Sequence, residues 1–230
     1  MNETKNLIEI TNLTWWYPNS PSLIFDKFSF SLDKWDFMFV TGESGSGKTT
    51  LIKFLIRQLI PPRKTVFFQK EDISRYSNTE VQKYRRQIGV VFQDYKLVPW
   101  KSVWDNVILP LEMVWYDPAK AHKITEDILR KVGLLAQKDV IVPFLSWWEK
   151  QRVAIARSLT LAPKFLIADE PTWNLDYKSA LNIVELLIEL HRDGNTILFI
   201  THDKTLIDYA SKIVDTKVVE IKKRHLAHSR

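Results

Sequence analysis

The chain has 230 residues, carries 33 Lys and Arg against 27 Asp and Glu for a net charge of +6, and contains no cysteine. That length suits one α/β unit with a full core, or one core plus a small inserted subdomain, and the missing Cys excludes disulfides, thiol nucleophiles and Cys-ligated metals. No apolar run reaches the roughly eighteen residues of a bilayer span, and Met1 to Ile10 lacks the basic-then-apolar layout of a secretory signal, so a cytoplasmic protein is expected.

In chain order, LIEIT at 7–11 and FSFSL at 28–32 come first; the period-two alternation of the second suits a half-buried antiparallel strand. Together they predict an N-terminal antiparallel β layer. FMFV at 37–40, FLIA at 165–168 and TILFI at 196–200 are instead continuous apolar runs, the pattern of parallel strands covered on both faces. Between the first two of these the pattern turns helical. Asp117 and Pro118 supply an N-cap and a first-turn proline for a helix to about Val132, and Ser146 with Glu149 forms an S-x-x-E capping box that opens a helix at Trp147. The prediction is an α/β fold with a mainly parallel sheet and a helical subdomain inserted at about 94–161, all within a single domain spanning 1–230.

The strand ending at Val40 leads into Gly42, Glu43, Ser44, Gly45, Ser46, Gly47, Lys48 and Thr49, a full G-x-x-x-x-G-K-[ST], followed by Thr50 and a helical stretch over LIKFLIRQL at 51–59. Strand, loop and helix in that order make a phosphate cradle. The glycines let backbone N–H groups curl around phosphates, the helix N-terminus adds its positive end, Lys48 reaches the β and γ phosphates, and the Thr49 hydroxyl can ligate Mg²⁺. Asp169 and Glu170 leave the buried run FLIA, and paired carboxylates at such a strand end can hold a metal and polarise water for in-line attack on a phosphate.

These segments, with LSWWEKQR at 145–152 and FITHD at 199–203, resemble the ABC family of ATPases over about residues 7–222, with a P-loop NTPase core. The resemblance implies that Tyr17 stacks on adenine, that Gln93 contacts Mg²⁺ and the attacking water, and that Asp169 takes the metal role. It likewise implies that Glu170 acts as general base, that His202 contacts the γ-phosphate, and that Asp176, in Asn174-Leu175-Asp176, links two sites across a dimer. Ser146 and Trp148 fall in the signature segment, which in the family completes the ATP site of a second protomer. The cofactors implied are ATP and Mg²⁺. The partners implied are a second copy of the chain and a separately encoded, permease-like membrane subunit, which would place the protein peripherally on the inner face of the membrane. RRQIGVVFQDYKLVP and DNVILPLE look most like the cell-division branch of the family; lipoprotein-release and macrolide-export ATPases share most of these features. A nucleotide-gated binding module with little hydrolysis is the reading from another class. Nucleic acid is not expected, because the basic residues are dispersed apart from Lys222, Lys223 and Arg224 and no long coiled-coil insertion interrupts the chain.

One departure runs through the whole pattern. An average glycine share of about 7% would give roughly sixteen glycines; the chain has six, and nine tryptophans. Trp147, Trp148 and Trp173 stand where the family carries glycine, and Trp35 and Trp115 stand where turns favour it. Two rings at 147 and 148 are expected to obstruct a phosphate seeking the first-turn N–H groups, so this polypeptide is expected to bind ATP but close poorly. A degenerate ATPase and an aromatic repacking of the core are two explanations. The favoured one is a codon, such as a reassigned stop, that the source reads as glycine, because Lys48, Asp169, Glu170 and His202 are all retained. Trp16, Trp100 and Trp104 are left unassigned.

Overall fold

The computed structural model describes residues 6–18 and 23–222; Met1, Lys223 and Arg224, named above, lie outside them. Two sheets form. In the first, β1 (Asn6–Trp16), β2 (Leu23–Asp33), β4 (Val66–Phe68) and β5 (Glu71–Asp72) are antiparallel, in the order β2-β1-β4-β5. In the second, β3 (Phe37–Thr41), β6 (Ile88–Val91), β7 (Phe165–Asp169), β8 (Thr196–Ile200) and β9 (Lys217–Glu220) are parallel, in the order β6-β7-β8-β3-β9.

Side-chain alternation along β3, β7 and β8 explains their unbroken apolar sequences. Phe37, Phe39, Leu166, Ala168, Ile197 and Phe199 point into one core, while Met38, Val40, Phe165, Ile167, Leu198 and Ile200 point into the other. The first core is closed by α5 (Trp147–Leu159) and α6 (Tyr177–Arg192), through side chains such as Val153, Ile155, Ile183 and Leu187. The second is closed by α1 (Lys48–Leu55) and the antiparallel sheet, through Leu51, Phe54, Leu7, Ile10 and Leu32. Rings of Phe39 and Phe199 meet at 5.1 Å between centroids and form the centre of the first core.

The expected helical insertion comprises α3 (Val103–Met113), α4 (Pro118–Lys131) and α5. Asp117 caps α4 through the Lys120 N–H at 2.9 Å, and Pro118 occupies its first turn, as the sequence predicts. The remaining helices are α2 (Asn78–Arg85), which Ser77 and Glu80 cap reciprocally, and α7 (Lys204–Ser211), capped by Asp203.

One helix is shorter than predicted. The run expected over 51–59 stops at Leu55, because Arg57 turns left-handed at φ 58°. Its guanidinium then donates to the carbonyls of Ile73 at 2.8 Å and Ser74 at 3.2 Å. Those acceptors lie far along the chain, so no local periodicity could reveal the stop.

Candidate active site

Parallel strands align their C-terminal ends, and such an edge is where open α/β sheets place ligands. Here Asp169 is paired with Ile200, and Ile200 with Val40. The residues that follow these three strands therefore emerge side by side: Glu170 after β7, His202 after β8, and the loop Gly42–Gly47 after β3. Gln93 follows the outer neighbour β6. A cleft of 970 Å³ opens at this edge, lined by Tyr17, Gly42, Glu43, Ser44, Gly45, Gly47, Lys48, Thr49, Thr50, Gln93, Asp169, Glu170 and His202 among others. Segments separated by more than a hundred residues thus share one cavity.

The loop has the backbone a phosphate cradle needs. Gly45 and Gly47 hold φ of 75° and 112°, and a Cβ at Gly47 would come within 2.5 Å of Ile24. Glycine is required there on both counts. Ser46 is buried against this turn and its hydroxyl has no partner among the described residues. The Lys48 ammonium donates to the Gly42 carbonyl at 2.7 Å and the Glu43 carbonyl at 3.2 Å, which folds the side chain back along the loop. It also lies 3.9 Å from the Glu170 carboxylate.

Glu170 is the centre of the polar cluster. Its Oε1 is 2.9 Å from His202 Nδ1; to bond an ionised carboxylate, that nitrogen must carry the proton. Its backbone is left-handed, at φ 43°, with the N–H donated to the Ile200 carbonyl at 2.9 Å. For a glutamate that conformation costs on the order of 1 kcal/mol, and the β8 ladder holds it in place. Asp169 differs from its neighbour. Burial at the strand end, the adjacent Glu170 charge and the more distant Asp94 raise its pKa to about 6, against a lowering influence from Lys48. A carboxylate so disfavoured as an anion is one that a divalent cation would stabilise. The Thr49 hydroxyl and the Gln93 amide line the same end of the cleft, so the donor set here, all oxygen, fits Mg²⁺.

Tyr17 also lines the cleft, with its hydroxyl 3.1 Å from the Thr50 hydroxyl. Ser146, Trp148 and Asp176 do not line the cleft of their own chain. Ser146 forms the predicted capping box, its N–H donating to Glu149 at 2.8 Å. Asp176 caps α6, accepting from the Ser179 N–H at 3.1 Å and the Ser179 hydroxyl at 2.6 Å. Trp148 stacks under the Arg152 guanidinium at 5.2 Å, and Trp147 lies against Tyr95 with 6.2 Å between centroids. Trp147 and Trp173 also border a second hollow of 470 Å³ that shares Thr49, Gln93 and Asp169 with the main cleft.

Sequence reasoning missed several contributors. Ile24 and Lys204 line the cleft without belonging to any motif considered above. Arg157 donates to the Tyr95 carbonyl at 2.8 Å and the Lys96 carbonyl at 2.7 Å, anchoring the segment just after Gln93 to α5. Asn106, fully buried, donates to the Val98 carbonyl at 3.1 Å and accepts from the Val98 N–H at 2.8 Å, which secures the end of that segment. An arginine amid the apolar face of VAIARSL is the one signal that points to the first of these.

Residues 25–173 match the family model described as ABC transporter. The chain belongs to the ABC transporter family. Within this family it is similar to proteins named cell division ATP-binding protein FtsE. The Mycobacterium tuberculosis protein is 36% identical over 202 residues, covering 88% of each chain. That of Escherichia coli K12 is 39% identical over 183 residues, covering 80% of this chain and 82% of the relative. Among solved structures, the post-hydrolysis dimer of the ATP-binding cassette MJ0796 bound to ADP and Pi superposes with a TM-score of 0.80 at 26% identity, covering 95% of this chain and 97% of that one. CbiO1 of Clostridium perfringens, part of an ABC transporter complex, superposes with a TM-score of 0.86 at 27% identity, covering 96% of this chain and 88% of that one. The α/β architecture with a parallel core sheet is therefore that of an ABC ATP-binding cassette. No helix among the described residues is long and apolar enough to cross a membrane.

Proposed function

We propose that this ABC protein hydrolyses Mg²⁺-ATP as a homodimer and passes the ATP state to a separately encoded integral membrane protein, in the manner of the cell-division branch. The observation that carries the reading is the convergence of Lys48, Glu170 and His202 on one cleft beside the Gly42–Gly47 loop. Backbone N–H groups of that loop and the N-terminus of α1 bind the phosphates, and Lys48 exchanges its carbonyl partners for phosphate oxygens. Thr49, Asp169 and Gln93 would hold Mg²⁺, which neutralises charge on the transferred phosphoryl group. Glu170 orients a water for in-line attack and accepts its proton, and His202 fixes the carboxylate and reaches toward the γ-phosphate. Tyr17 offers a ring for the adenine.

Ser146, Trp148 and Asp176 act across the dimer in this reading, which agrees with their absence from their own chain's cleft. Binding of the second protomer to the same γ-phosphate makes closure depend on ATP, and hydrolysis releases it. The FtsE relatives favour division over lipoprotein release or macrolide export as the process served. The whole chain is read as one cassette domain, with no nucleic-acid role, positioned peripherally at the cytoplasmic face of the membrane through its partner.

The test is ATP turnover by the variant with glycine at 147, 148 and 173, reconstituted with its membrane partner. Steady phosphate release that depends on Mg²⁺ is expected. Tight ATP binding without release would instead establish a nucleotide-gated binding module, a reading that the bulk of Trp147 and Trp148 as the first two residues of α5 favours for this polypeptide.

A further inference from the structure

Among the described residues, four helices end in the same motif. After the C-cap, the next N–H bonds back three residues and the following N–H bonds back five, a Schellman closure that requires its first residue beyond the cap to be left-handed. At the end of α4 that residue is Gly133, φ 71°, with bonds of 3.1 Å to Arg130 and, from Leu134, 2.8 Å to Leu129. At the end of α6 it is Gly194, φ 94°, with bonds of 2.9 Å to His191 and, from Asn195, 3.1 Å to Leu190. At the end of α1 it is Arg57, whose side chain offsets the strain with hydrogen bonds to the carbonyls of Ile73 and Ser74.

At the end of α3 it is Trp115. Its φ is 56°, its N–H bonds to Glu112 at 3.0 Å, and the Tyr116 N–H bonds to Leu111 at 3.0 Å. Unlike Arg57, this ring contributes nothing in return: it is 95% exposed. A left-handed backbone is an outlier for so bulky a residue, and an isolated tryptophan in water forgoes the burial that is its main stabilising contribution. Trp35 repeats the combination. It is the third residue of the turn from Asp33 to Asp36, holds φ 65°, uses only its backbone N–H (to the Thr196 hydroxyl, 2.8 Å), and is 62% exposed.

Other tryptophans are built into the fold. Trp15 packs edge-on against Phe54 at 5.0 Å, and Trp104 packs on His122 at 5.4 Å against the helical core. Both have ordinary backbone angles. Trp35 and Trp115 thus differ structurally from Trp15 and Trp104, while Trp16, Trp100, Trp147 and Trp173 are exposed on ordinary backbone and fall in neither group; the chain has six glycines.

We infer that positions 35 and 115 are glycine in the protein that the source organism makes, because a codon distinct from that of Trp15 and Trp104 encodes them and is decoded there as glycine, whereas Trp15 and Trp104 are true tryptophans. Left-handed geometry and solvent exposure separate the two groups without reference to the family. If Trp147 and Trp148 share the codon, α5 begins with two glycines in the native protein and its first turn carries no ring that a phosphate must pass; this consequence rests on the proposed function, and the inference about positions 35 and 115 does not.

The gene and the native peptides test it. Positions 35 and 115 should share one codon, distinct from that at 15 and 104; the ordinary tryptophan codon at 35 and 115 overturns the inference. In a tryptic digest of protein from the source, the peptide covering 102–120 should weigh as tryptophan at 104 and glycine at 115, and a mass with tryptophan at both overturns it. Recombinant variants probe the physical argument separately. Trp115→Gly should raise the folded-to-unfolded ratio about fivefold while Trp115→Ala leaves it nearly unchanged, since alanine retains the left-handed strain. Equal losses from both variants would mean that the ring itself supports the fold, and would overturn the inference.

Discussion

Replacing Asp169 by asparagine should stabilise the nucleotide-free, Mg²⁺-free protein, and more so at high pH. The native pKa is about 6, against an ordinary aspartate near 3.9. Below about pH 4 the side chain is protonated in both folded and unfolded chains and costs nothing. Between about 4 and 6 the unfolded chain ionises while the folded one holds its proton, so the penalty grows as pH rises, and above about 6 it is complete. A gap of roughly two pH units at about 1.4 kcal/mol each sets an upper figure near 3 kcal/mol. Water in the cleft screens part of it, leaving a working range of about 1–3 kcal/mol. Urea unfolding of both proteins in chelator at pH 4.5, 6 and 8 measures this directly. The stability difference should be about a third of its plateau at pH 4.5 and rise to the plateau across that window. Addition of Mg²⁺-ATP should reverse the order above pH 6, because the ionised carboxylate then has a cation to hold. A difference that stays constant with pH would refute burial and the Glu170 charge as the cause of the shift. Acid-side losses from Asp72, Glu80 and Asp176, whose hydrogen bonds lower their pKa values, are common to both proteins and cancel in the comparison.

Glu170→Gln should lower turnover by about 10²–10⁴ while ATP affinity is retained, and size-exclusion chromatography with ATP should show accumulated dimer; unchanged turnover would remove Glu170 from the general-base role. Arg157→Lys loses the two-pronged grip on the Tyr95 and Lys96 carbonyls, so kcat should fall several-fold with nucleotide affinity intact, and equal falls in both would show a general loss of fold. Phe199→Ala, which removes a fully buried ring packed against Phe37 and Phe39, should cost about 3–5 kcal/mol in chemical denaturation; a loss below 1 kcal/mol would contradict the packing described for that core.

Much of this protein is written in short windows. The runs FMFV, FLIA and TILFI are apolar throughout because both sheet faces are covered, and they form the central parallel strands. Asp117, Ser146 and Glu149 mark helix starts by bonding their own backbone neighbours, and the order Gly42 to Thr49 after a strand specifies its loop conformation through glycines alone. Short strands such as β4, β5 and β9 are not legible in the sequence, since each is defined by its partner's ladder and carries no period of its own.

The sequence by itself determined which side chains the cleft would receive: Lys48, Thr49, Asp169, Glu170 and His202 follow strands whose local pattern already exposes their ends. Only the tertiary structure decided how those ends align, because the register of Asp169 with Ile200 and of Ile200 with Val40 is set by hydrogen bonds between segments far apart in the chain. The same holds for the tryptophans. Their number is visible in the sequence, but what sets the left-handed, solvated Trp35 and Trp115 apart from the packed Trp15 and Trp104 depends on backbone angles and burial that arise when distant segments assemble.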